Sequence, residues 1–453
     1  MTDMLELREI IENLSYLIDA GEDSKIKSII IDSHPADLAD ILSEINEDKR
    51  GYLFNLLPTQ TAAYVLMELD EVTREHLLPE IDSGHLVKII HEMDSDDSAD
   101  LISEMDETTA KNILSRIEPH DRIEVQKLLR HKEDSAGGIM ALEFIAVYED
   151  QTVDDAIQEI RQRAQEVEHV FHVYAVDRGG RLVGVVPIKQ LFLRNPARLI
   201  RDIMKHDVIS VTVDMDQESV ANIVSKYDLL AVPVVDKHNR LVGRITIDDI
   251  VDVLQDEANE DIQRMAGISD EEILQETSPL RISRNRLPWL IIAFFGQICA
   301  ALILSRFEVT IAEIAALTFF IPVIMAMGGN VGIQSSTIIV RGLALDEGLA
   351  SNIWSMFYRE LRVALLNGVL LGLLLFSFIW LWRGEPLFGL VVGLAMIFVI
   401  INSAIFGSII PFVLTRFNLD PAIATGPFIT TTNDILGLFI YLTMATAYLN
   451  YIS

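Results

Sequence analysis

Five long apolar runs lie in the second half of the chain and constrain its fold more than any other feature. Each is long enough to cross a bilayer, which takes roughly 17–25 apolar residues, and they fall at 287–305, 311–338, 361–382, 386–415 and 421–449. The second run contains Pro322 and then the polar stretch GGNVGIQSST at 328–337. We therefore expect five membrane-spanning helices, the second bent or locally opened where the protein can satisfy its backbone.

Charge is concentrated in the other half of the chain. The 453 residues carry a formal net charge of -31 although half of them are hydrophobic. Residues 1–286 contain 59 acidic and 30 basic side chains, whereas the rest of the chain contains eight and six. This acidity argues against nucleic acid and anionic lipid as partners and favours cations. The alternative is that the acids only keep this half soluble.

The ends of the apolar runs predict the orientation of the chain. The N-terminus, MTDMLELREIIENL, is acidic and amphipathic and so is not typical of a signal peptide. We expect this half in the cytoplasm, with the C-terminus on the opposite side of the cell membrane. The arginines flanking the spans agree with the positive-inside rule, because seven lie on the cytoplasmic side and two outside: Arg281, Arg284, Arg286, Arg341, Arg359, Arg362 and Arg416 against Arg306 and Arg383.

A 12-residue repeat runs from His34 to Leu129 in eight blocks. Several blocks open with Asp, Asn or Pro, which favour helix starts. Twelve residues accommodate one short helix and a turn, so the repeat predicts an α-superhelix whose units bury apolar faces against their neighbours. The twelfth position is always a large apolar residue: Ile45, Leu57, Leu69, Ile81, Met93, Met105, Ile117 or Leu129.

Two acidic groups in this half are candidate metal ligands. One lies in the repeat at 91–107 and comprises Glu92, Asp94, Asp96, Asp97 and Asp100. The other follows at 246–265, where helical spacing places Asp249, Asp252, Asp256 and Glu260 on one face. Like charges at this spacing repel, and oxygen-rich sites suit hard cations such as Mg²⁺ and Ca²⁺. The alternative in both places is a solvated acidic face.

Residues 138–254 contain a second repeat, with a period of 59. The segments VDRGGRLVGVVPIKQL (176–191) and VDKHNRLVGRITIDDI (235–250) share seven of 16 positions, and each predicts a strand, a polar turn, a strand and a helix start. They resemble a pair of CBS motifs, a family of α/β pairs that sense adenine nucleotides or other small ligands. Gly243, Thr246 and Asp249 match the family's ribose-binding pattern, whereas the first copy has Pro187 and Gln190. The resemblance implies at most one nucleotide site, at Thr246 and Asp249, with ATP as a candidate ligand.

One carboxylate, Asp434, lies inside the last apolar run. An Asp at the centre of a membrane helix costs roughly 2.5–3.5 kcal/mol on insertion scales, and such residues usually mark ion pathways. Helical spacing places Thr430, Asp434, Gly437 and Tyr441 on one face, with Asn433 close by. This strip of oxygens suits a hydrated cation. The alternative is an Asp that only bonds to neighbouring helices.

Taken with the superhelix and the CBS pair, three membrane motifs resemble the MgtE family of magnesium channels and transporters: GGNVGIQSST, NLDPAIATGP (418–427) and TTTNDILGLFIYL. The resemblance implies a homodimer in the lipid bilayer with one pore on its two-fold axis. It further implies that Asp434 of each subunit forms the selectivity ring, with Gly328, Gly329 and Asn330 lining the pore nearby.

The same resemblance implies a feedback gate, in which cytosolic Mg²⁺ bridges acidic residues and closes the pore. In the superhelix the DSDDSAD cluster corresponds to the family's sensing acids, with Asp97 and Asp100 as the expected ligands. Elsewhere the matching positions are Asp216, Glu218, Asp228, Asp249, Asp252, Glu257, Glu260 and Asp420.

The sequence therefore predicts a multidomain chain: a cytosolic α-superhelix and an α/β CBS pair, followed by an α-helical transmembrane domain of five helices. The expected boundaries are 1–133 for the superhelix, 134–256 for the CBS pair, 257–286 for a connecting or plug helix and 287–453 for the pore domain. We expect a transporter of Mg²⁺. Alternatives are Mn²⁺ or Co²⁺ as cargo, or a membrane-anchored nucleotide sensor or regulatory subunit. An enzyme is not expected, because the chain shows no nucleophile elbow, phosphate loop or zinc-ligand spacing.

Overall fold

The structure, a computed structural model, describes residues 2–164, 167, 169–266, 279–344, 349–417, 420–424 and 426–452. The chain divides into two compact units, Met1–Gln255 and Asp256–Ser453. The predicted fold class is confirmed, since helices and a CBS-type α/β pair form the first unit and long apolar helices form the second. The predicted domain boundaries stay predictions, and residues 267–278 of the expected connecting segment lie outside the described residues.

Ten helices occupy residues 2–129, all of which the structure describes. The eight helices from α3 onward start 12 residues apart, as the repeat predicts. The ten are α1 Thr2–Ala20, α2 Asp23–Asp32, α3 Pro35–Glu44, α4 Glu47–Phe54, α5 Thr59–Glu68, α6 Glu71–Leu77, α7 Ser83–His91, α8 Ser95–Ser103, α9 Glu107–Arg116 and α10 Pro119–Leu128.

The first residue of a repeat block explains where its helix starts. The Asp70 carboxylate accepts a hydrogen bond from the Thr73 N–H at 2.9 Å, and the Asp82 carboxylate accepts one from the Gly84 N–H at 2.8 Å. These are N-caps, which satisfy N–H groups that have no partner within the helix. The last residue of a block is buried between helices at most positions, as at Ile45, Leu57, Leu69, Ile81 and Ile117.

The CBS-type pair consists of two three-stranded sheets with the same order. In each sheet the first strand pairs parallel to the second, and the second pairs antiparallel to the third. The elements are β1 Ala146–Tyr148, α11 Val153–Arg163, β2 His172–Val176, β3 Leu182–Pro187 and α12 Ile188–Leu193, then β4 Val211–Thr212, α13 Gln217–Tyr227, β5 Ala231–Val235, β6 Leu241–Thr246 and α14 Ile247–Ala266. The predicted strand, turn, strand and helix start are confirmed in both copies.

The two turns of this repeat join the two sheets. Gly180 and Asn239 occupy corresponding turns with φ of 78° and 60°, a region that favours glycine and tolerates asparagine. The Leu182 N–H donates to the Asn239 carbonyl at 2.9 Å, and the Leu241 N–H donates to the Gly180 carbonyl at 3.1 Å. The polar turns therefore connect the two copies as well as their own strands.

Among the described residues of the second unit, five helices are long and apolar enough to span a membrane. They are α15 Pro279–Arg306, α17 Ile321–Ala344, α18 Leu349–Arg383, α19 Pro386–Arg416 and α20 Pro427–Ile452, with the short α16 Glu308–Glu313 after the first. The predicted number of spans is confirmed. The second run is not one helix, because α16 and a 3₁₀ turn at Ala315–Phe319 precede α17. The fifth span begins at Pro427 rather than 421, since Pro421–Ala424 forms a 3₁₀ turn.

The second span is interrupted by the 3₁₀ turn just before Pro322, and it is not opened at GGNVGIQSST as predicted. Residues 328–337 continue α17 as regular helix. Their glycines serve close packing: a Cβ on Gly332 would lie 2.6 Å from Ile429 Cγ2 of α20, and a Cβ on Gly407 of α19 would collide with the Gly332 carbonyl. Small residues let membrane helices approach at this distance. The stretch thus joins α17 to two neighbours instead of interrupting it.

Candidate functional site

A cluster of carboxylates forms around the start of α8 in the first unit. Carboxylate oxygens of Asp94, Asp96 and Glu143 lie within 4.8 Å of one another. Ser95 positions Glu143, because its hydroxyl donates to Glu143 at 2.9 Å and accepts from the Leu142 N–H at 2.9 Å. Three hard oxygen donors this close together match the ligands that Mg²⁺ and Ca²⁺ prefer.

The start of α14 contributes further acids to the same region. The Asp249 carboxylate accepts hydrogen bonds from the Thr246 N–H at 3.0 Å and from the Thr246 hydroxyl at 2.6 Å, which caps the helix. Burial raises the pKa of Asp249 to about 6, against these two bonds, and repulsion from Asp248 and Asp252 adds to the rise. The two residues predicted to bind ribose are therefore bonded to each other beside several carboxylates.

Burial and repulsion raise the pKa values of the acids of α8 more strongly than that of Asp249. Burial raises the pKa of Asp97 to about 8, and repulsion from Asp249 adds to the rise. Asp96 is only 7% exposed, and burial followed by repulsion from Asp249 raises its pKa well above the ordinary value. Asp100 keeps an exposed surface, yet partial burial and then repulsion from Glu104 raise its pKa to about 7. A divalent cation would favour the charged forms of all these groups.

Three predicted sensing acids lie elsewhere, at the ends of α13. The Asp216 carboxylate caps the start of this helix through the Ser219 N–H at 3.4 Å, and Glu218 lies in its first turn. Asp228 ends the helix in a left-handed conformation, with φ of 51°. Eleven residues of helix separate the two ends by roughly 16 Å, so Asp216 and Asp228 do not ligate one ion together within a single chain.

A third group of acids lies in the second unit, where the end of α14 meets the segment before α20. The Arg264 guanidinium bonds to both Glu260 and Asp420, two of the predicted sensing acids. The Asp420 carboxylate also accepts from the Ala422 N–H at 2.7 Å. Burial raises the pKa of the neighbouring Asp261, and repulsion from Asp420 and then Glu257 adds to it. Sequence reasoning missed Arg264, the cation at the centre of this group.

In the membrane helices, Asp434 has a partner that the sequence did not indicate. The Gln297 amide of α15 donates to Asp434 Oδ2 at 2.5 Å. Asp434 is half-buried and Gln297 is exposed. Thr430, one turn before Asp434, is also half-buried. The carboxylate thus retains an accessible surface within an apolar helix.

The other predicted pore residues divide into two kinds. The Asn433 side chain is buried, accepting from the Ser403 hydroxyl at 2.5 Å and donating to the Met325 carbonyl at 3.0 Å. Gly328 packs beneath it, because a Cβ there would collide with Asn433 Oδ1, and Gly329 is buried as well. Asn330, in contrast, is exposed. Asn433 and the two glycines therefore connect α17, α19 and α20, whereas Asn330 presents its amide.

A buried carboxylate of the membrane unit was not predicted. Glu360 in α18 is 5% exposed, accepts from the Ser335 hydroxyl of α17 at 3.3 Å and lies 3.6 Å from the Arg359 guanidinium. A signal existed in the sequence, since Glu360 is an acid close to the apolar run at 361–382. Like Asp434, it is paired with donors of the chain.

Family models match most of the chain. Residues 33–134 match the MgtE intracellular N domain, residues 136–194 and 200–256 match CBS domains, and residues 321–444 match the MgtE model described as a divalent cation transporter.

Two curated relatives cover nearly all of the chain. The magnesium transporter MgtE of Thermus thermophilus is 35% identical over 437 residues, 96% of this chain and 97% of the relative. The magnesium transporter MgtE of Bacillus subtilis is 34% identical over 450 residues, 99% of this chain and 100% of the relative. The similarity therefore extends over both units.

Two solved structures resemble the first half. The cytosolic domain of the Mg²⁺ channel MgtE in complex with ATP matches with a TM-score of 0.52 and 33% identity, covering 54% of this chain and 99% of that one. The soluble part of a magnesium transporter matches with a TM-score of 0.51 and 30% identity, covering 56% of this chain and 99% of that one.

Proposed function

Because this chain belongs to the MgtE family of divalent cation transporters, we propose that it is a Mg²⁺-selective, channel-like transporter whose pore lies on the axis of a homodimer. It is a multi-pass membrane protein and not an enzyme. In this proposal the acidic half faces the cytoplasm and the C-terminus lies on the opposite side. Relatives named magnesium transporters along the whole chain support Mg²⁺ as the cargo.

The observation that carries the proposal is the accessible Asp434 carboxylate within an apolar helix. Mg²⁺ gives up its water reluctantly and is bound through few carboxylates. A single carboxylate per chain attracts such a hydrated ion and is weak enough to release it. Thr430 and the exposed amide of Asn330 supply further oxygens for its water shell, whereas Asn433, Gly328 and Gly329 position the helices that form the pathway.

The crowded acids of the first unit support the feedback gate. Asp96, Asp97, Asp100 and Asp249 are desolvated and repel one another. Cytosolic Mg²⁺ neutralises this cluster at high concentration, and its loss restores the repulsion. Since Asp94 and Glu143 belong to the same group, we add them to the proposed ligands. Asp216, Glu218 and Asp228 stay predicted ligands.

We also propose a second regulatory site at acids of the second unit. Glu257, Glu260 and Asp420 are predicted to bind Mg²⁺, and Arg264 bonds to the last two in this structure. Helix α14 carries acids of both groups, with Asp249 and Asp252 near its start and Glu257 and Glu260 toward its end. We propose that Mg²⁺ bound along this helix closes the pore.

A nucleotide is not needed for this gate. The ATP-bound cytosolic domain of a relative makes ATP a proposed ligand of the CBS pair. In this chain, however, both bonds of Thr246 go to Asp249, and the carboxylates around Asp249 repel phosphate groups. ATP stays a proposed ligand of the CBS pair, and the proposed gate works without it.

Mg²⁺ uptake into proteoliposomes loaded with a fluorescent indicator tests the proposal. We expect wild-type uptake, suppressed by Mg²⁺ on the side of the acidic half, and uptake at liposome background for Asp434→Asn. The control is Glu385→Gln, which removes an exposed acid of the same unit and should transport normally. Equal uptake by wild type and Asp434→Asn contradicts the assigned pathway, and faster uptake of Mn²⁺ or Co²⁺ than of Mg²⁺ contradicts the assigned cargo.

A further inference from the structure

Gln297 is the polar residue of α15 that contacts the candidate ion pathway. Its amide nitrogen lies 2.5 Å from Asp434 Oδ2, although 137 residues separate the two positions in sequence. Gln297 is exposed in the middle of a membrane-spanning segment. Polar side chains at this depth are costly and usually functional, so the contact requires an explanation.

The packing of α15 against α20 makes this contact specific. A Cβ on Gly296 would collide with the Thr431 side chain, so the two helices approach closely only because residue 296 is glycine. The Trp289 and Phe428 rings pack edge to face, 6.3 Å apart, at an earlier crossing of the same helices. Gln297 follows Gly296 directly, and Asp434 lies one turn after Thr431. The helix contact therefore fixes the amide beside the carboxylate.

An amide affects a carboxylate differently from any charged or apolar side chain. Its N–H donates a hydrogen bond to one carboxylate oxygen and leaves the negative charge in place, whereas a lysine or arginine would cancel that charge. Ca²⁺ commonly takes both oxygens of a carboxylate, whereas Mg²⁺ keeps its water and uses one. A hydrogen bond on Oδ2 leaves Oδ1 for the water shell of an ion and obstructs bidentate binding.

We propose that Gln297 is a specificity-determining residue of the ion pathway, which favours hydrated Mg²⁺ over Ca²⁺ by occupying one oxygen of Asp434. This inference rests on the proposed transport function. It also explains why an exposed amide is placed at this depth. Gln297 positions Asp434 and does not replace it as the group that attracts the ion.

The test compares uptake of Mg²⁺ and Ca²⁺ into proteoliposomes by wild type, Gln297→Met and Gln297→Glu. Methionine has similar length but no donor, so we expect near-normal maximal Mg²⁺ uptake with a Mg²⁺ over Ca²⁺ preference reduced about tenfold. Glutamate adds a second carboxylate, so the half-saturating Mg²⁺ concentration should fall about tenfold together with maximal uptake, because tight binding slows release. Cys299→Ala, an exposed change two residues away on the same helix, should match wild type.

The outcomes separate the two proposals. Unchanged preference in Gln297→Met and an unchanged half-saturating concentration in Gln297→Glu overturn the role of Gln297, provided that wild type transports and Asp434→Asn does not. Absence of wild-type uptake overturns the proposed function itself. If Gln297→Met fails to fold, as judged by size-exclusion chromatography in detergent, Gln297→Glu decides alone through its half-saturating concentration.

Discussion

The acids around the start of α8 and the acids of the membrane helices have opposite surroundings. In the first unit Asp96, Asp97 and Asp249 lie among other carboxylates, and burial with repulsion raises their pKa values. In the second unit Asp434 and Glu360 each accept a hydrogen bond from a neutral side chain, Gln297 and Ser335 respectively. In the first arrangement the charged forms are disfavoured unless a cation binds, whereas in the second each carboxylate has a hydrogen-bond donor within the chain.

This difference suggests how one ion can serve two purposes in one protein. A crowded group of carboxylates binds Mg²⁺ through several oxygens and so senses its concentration. A single carboxylate that already accepts a hydrogen bond binds the ion weakly and lets it pass. We therefore infer that regulation depends on the number of acids in the cytosolic cluster, and permeation on the neutral partner of one acid.

Removing acids from the crowded cluster should have the largest effect. We expect Asp97→Asn combined with Asp249→Asn to raise the Mg²⁺ concentration that half-inhibits uptake roughly thirtyfold, about 2 kcal/mol, because two ligands are lost. Maximal uptake should stay unchanged, since neither residue lies in the membrane helices. The measurement is proteoliposome uptake against bathing Mg²⁺. Asp40→Asn, an exposed acid of α3, serves as the control, and equal half-inhibition in both variants contradicts the sensing role.

The sequence predicted the repeating parts of this structure well because each repeat carries its own signal. Cap residues such as Asp70 and Asp82 recur every 12 residues, and their hydrogen bonds start the helices at the predicted positions. The CBS copies were predicted for a similar reason, since their turns and strands recur after 59 residues. Local hydrogen bonds and alternating burial suffice to specify such elements.

Contacts between distant residues were not predictable in the same way. Glu143 reaches α8 through Ser95, 48 positions away, and Gln297 reaches Asp434 across 137 positions. The polar stretch 328–337 predicted an opening because it breaks the apolar run, whereas in the structure it continues α17 and Gly332 permits packing on α19 and α20. Such residues depend on which helices become neighbours, and a single sequence does not give this information.

Substitution of Glu360 should have the next largest effect, a loss of stability. It tests whether the hydrogen-bonded acids of the membrane unit stabilise its helices. Glu360→Ala leaves a cavity and a buried Ser335 hydroxyl without its acceptor, a loss of about 2 kcal/mol, or about 5 °C in melting temperature. Glu360→Gln keeps the side-chain volume and an acceptor for Ser335, so this variant should lose less than half as much stability as Glu360→Ala.

Intrinsic tryptophan fluorescence measures this effect, because all four tryptophans, Trp289, Trp354, Trp380 and Trp382, lie in the second unit. The matched control is Glu385→Gln, whose exposed pairing with Arg383 at 3.0 Å should contribute little. Such a melt resolves differences of about 1 °C. If the melting temperature of Glu360→Ala lies within that margin of the control, the buried acid does not stabilise α18.

The pH dependence of feedback should be smaller and should have a defined sign. The pKa values of Asp249, Asp100 and Asp97 are raised to about 6, 7 and 8, so these groups lose protons across this window as pH rises. Protons compete with Mg²⁺, and we expect the half-inhibiting Mg²⁺ concentration to fall about fivefold from pH 6.5 to 7.5. The Asp97→Asn and Asp249→Asn double variant should flatten this dependence, and a rise in the concentration with pH contradicts the assignment.

The smallest effect gives the sharpest comparison, because removing one negative charge should change stability in opposite directions at two places. Burial alone would raise the pKa of Asp70, but hydrogen bonds from Thr73 and Ser43 lower it below its ordinary value, so its charge is stabilised by folding. The pKa of Asp97 is raised by burial and by Asp249, so its charge opposes folding above neutral pH. Asp70→Ala should therefore destabilise α6, and Asp97→Ala should stabilise α8.

Hydrogen exchange of the full chain in chelator at pH 8 measures both changes. Loss of the Asp70 cap costs about 1 kcal/mol and should accelerate exchange in Glu71–Leu77 about fivefold, whereas Asp97→Ala should slow exchange in Ser95–Ser103. Added Mg²⁺ should remove the advantage of Asp97→Ala, because the ion then compensates the charge, and should leave Asp70→Ala unaffected. If both variants exchange faster than wild type without Mg²⁺, the Asp97 side chain stabilises the fold. The cluster is then not destabilised by its own charge, which contradicts the proposed sensing role.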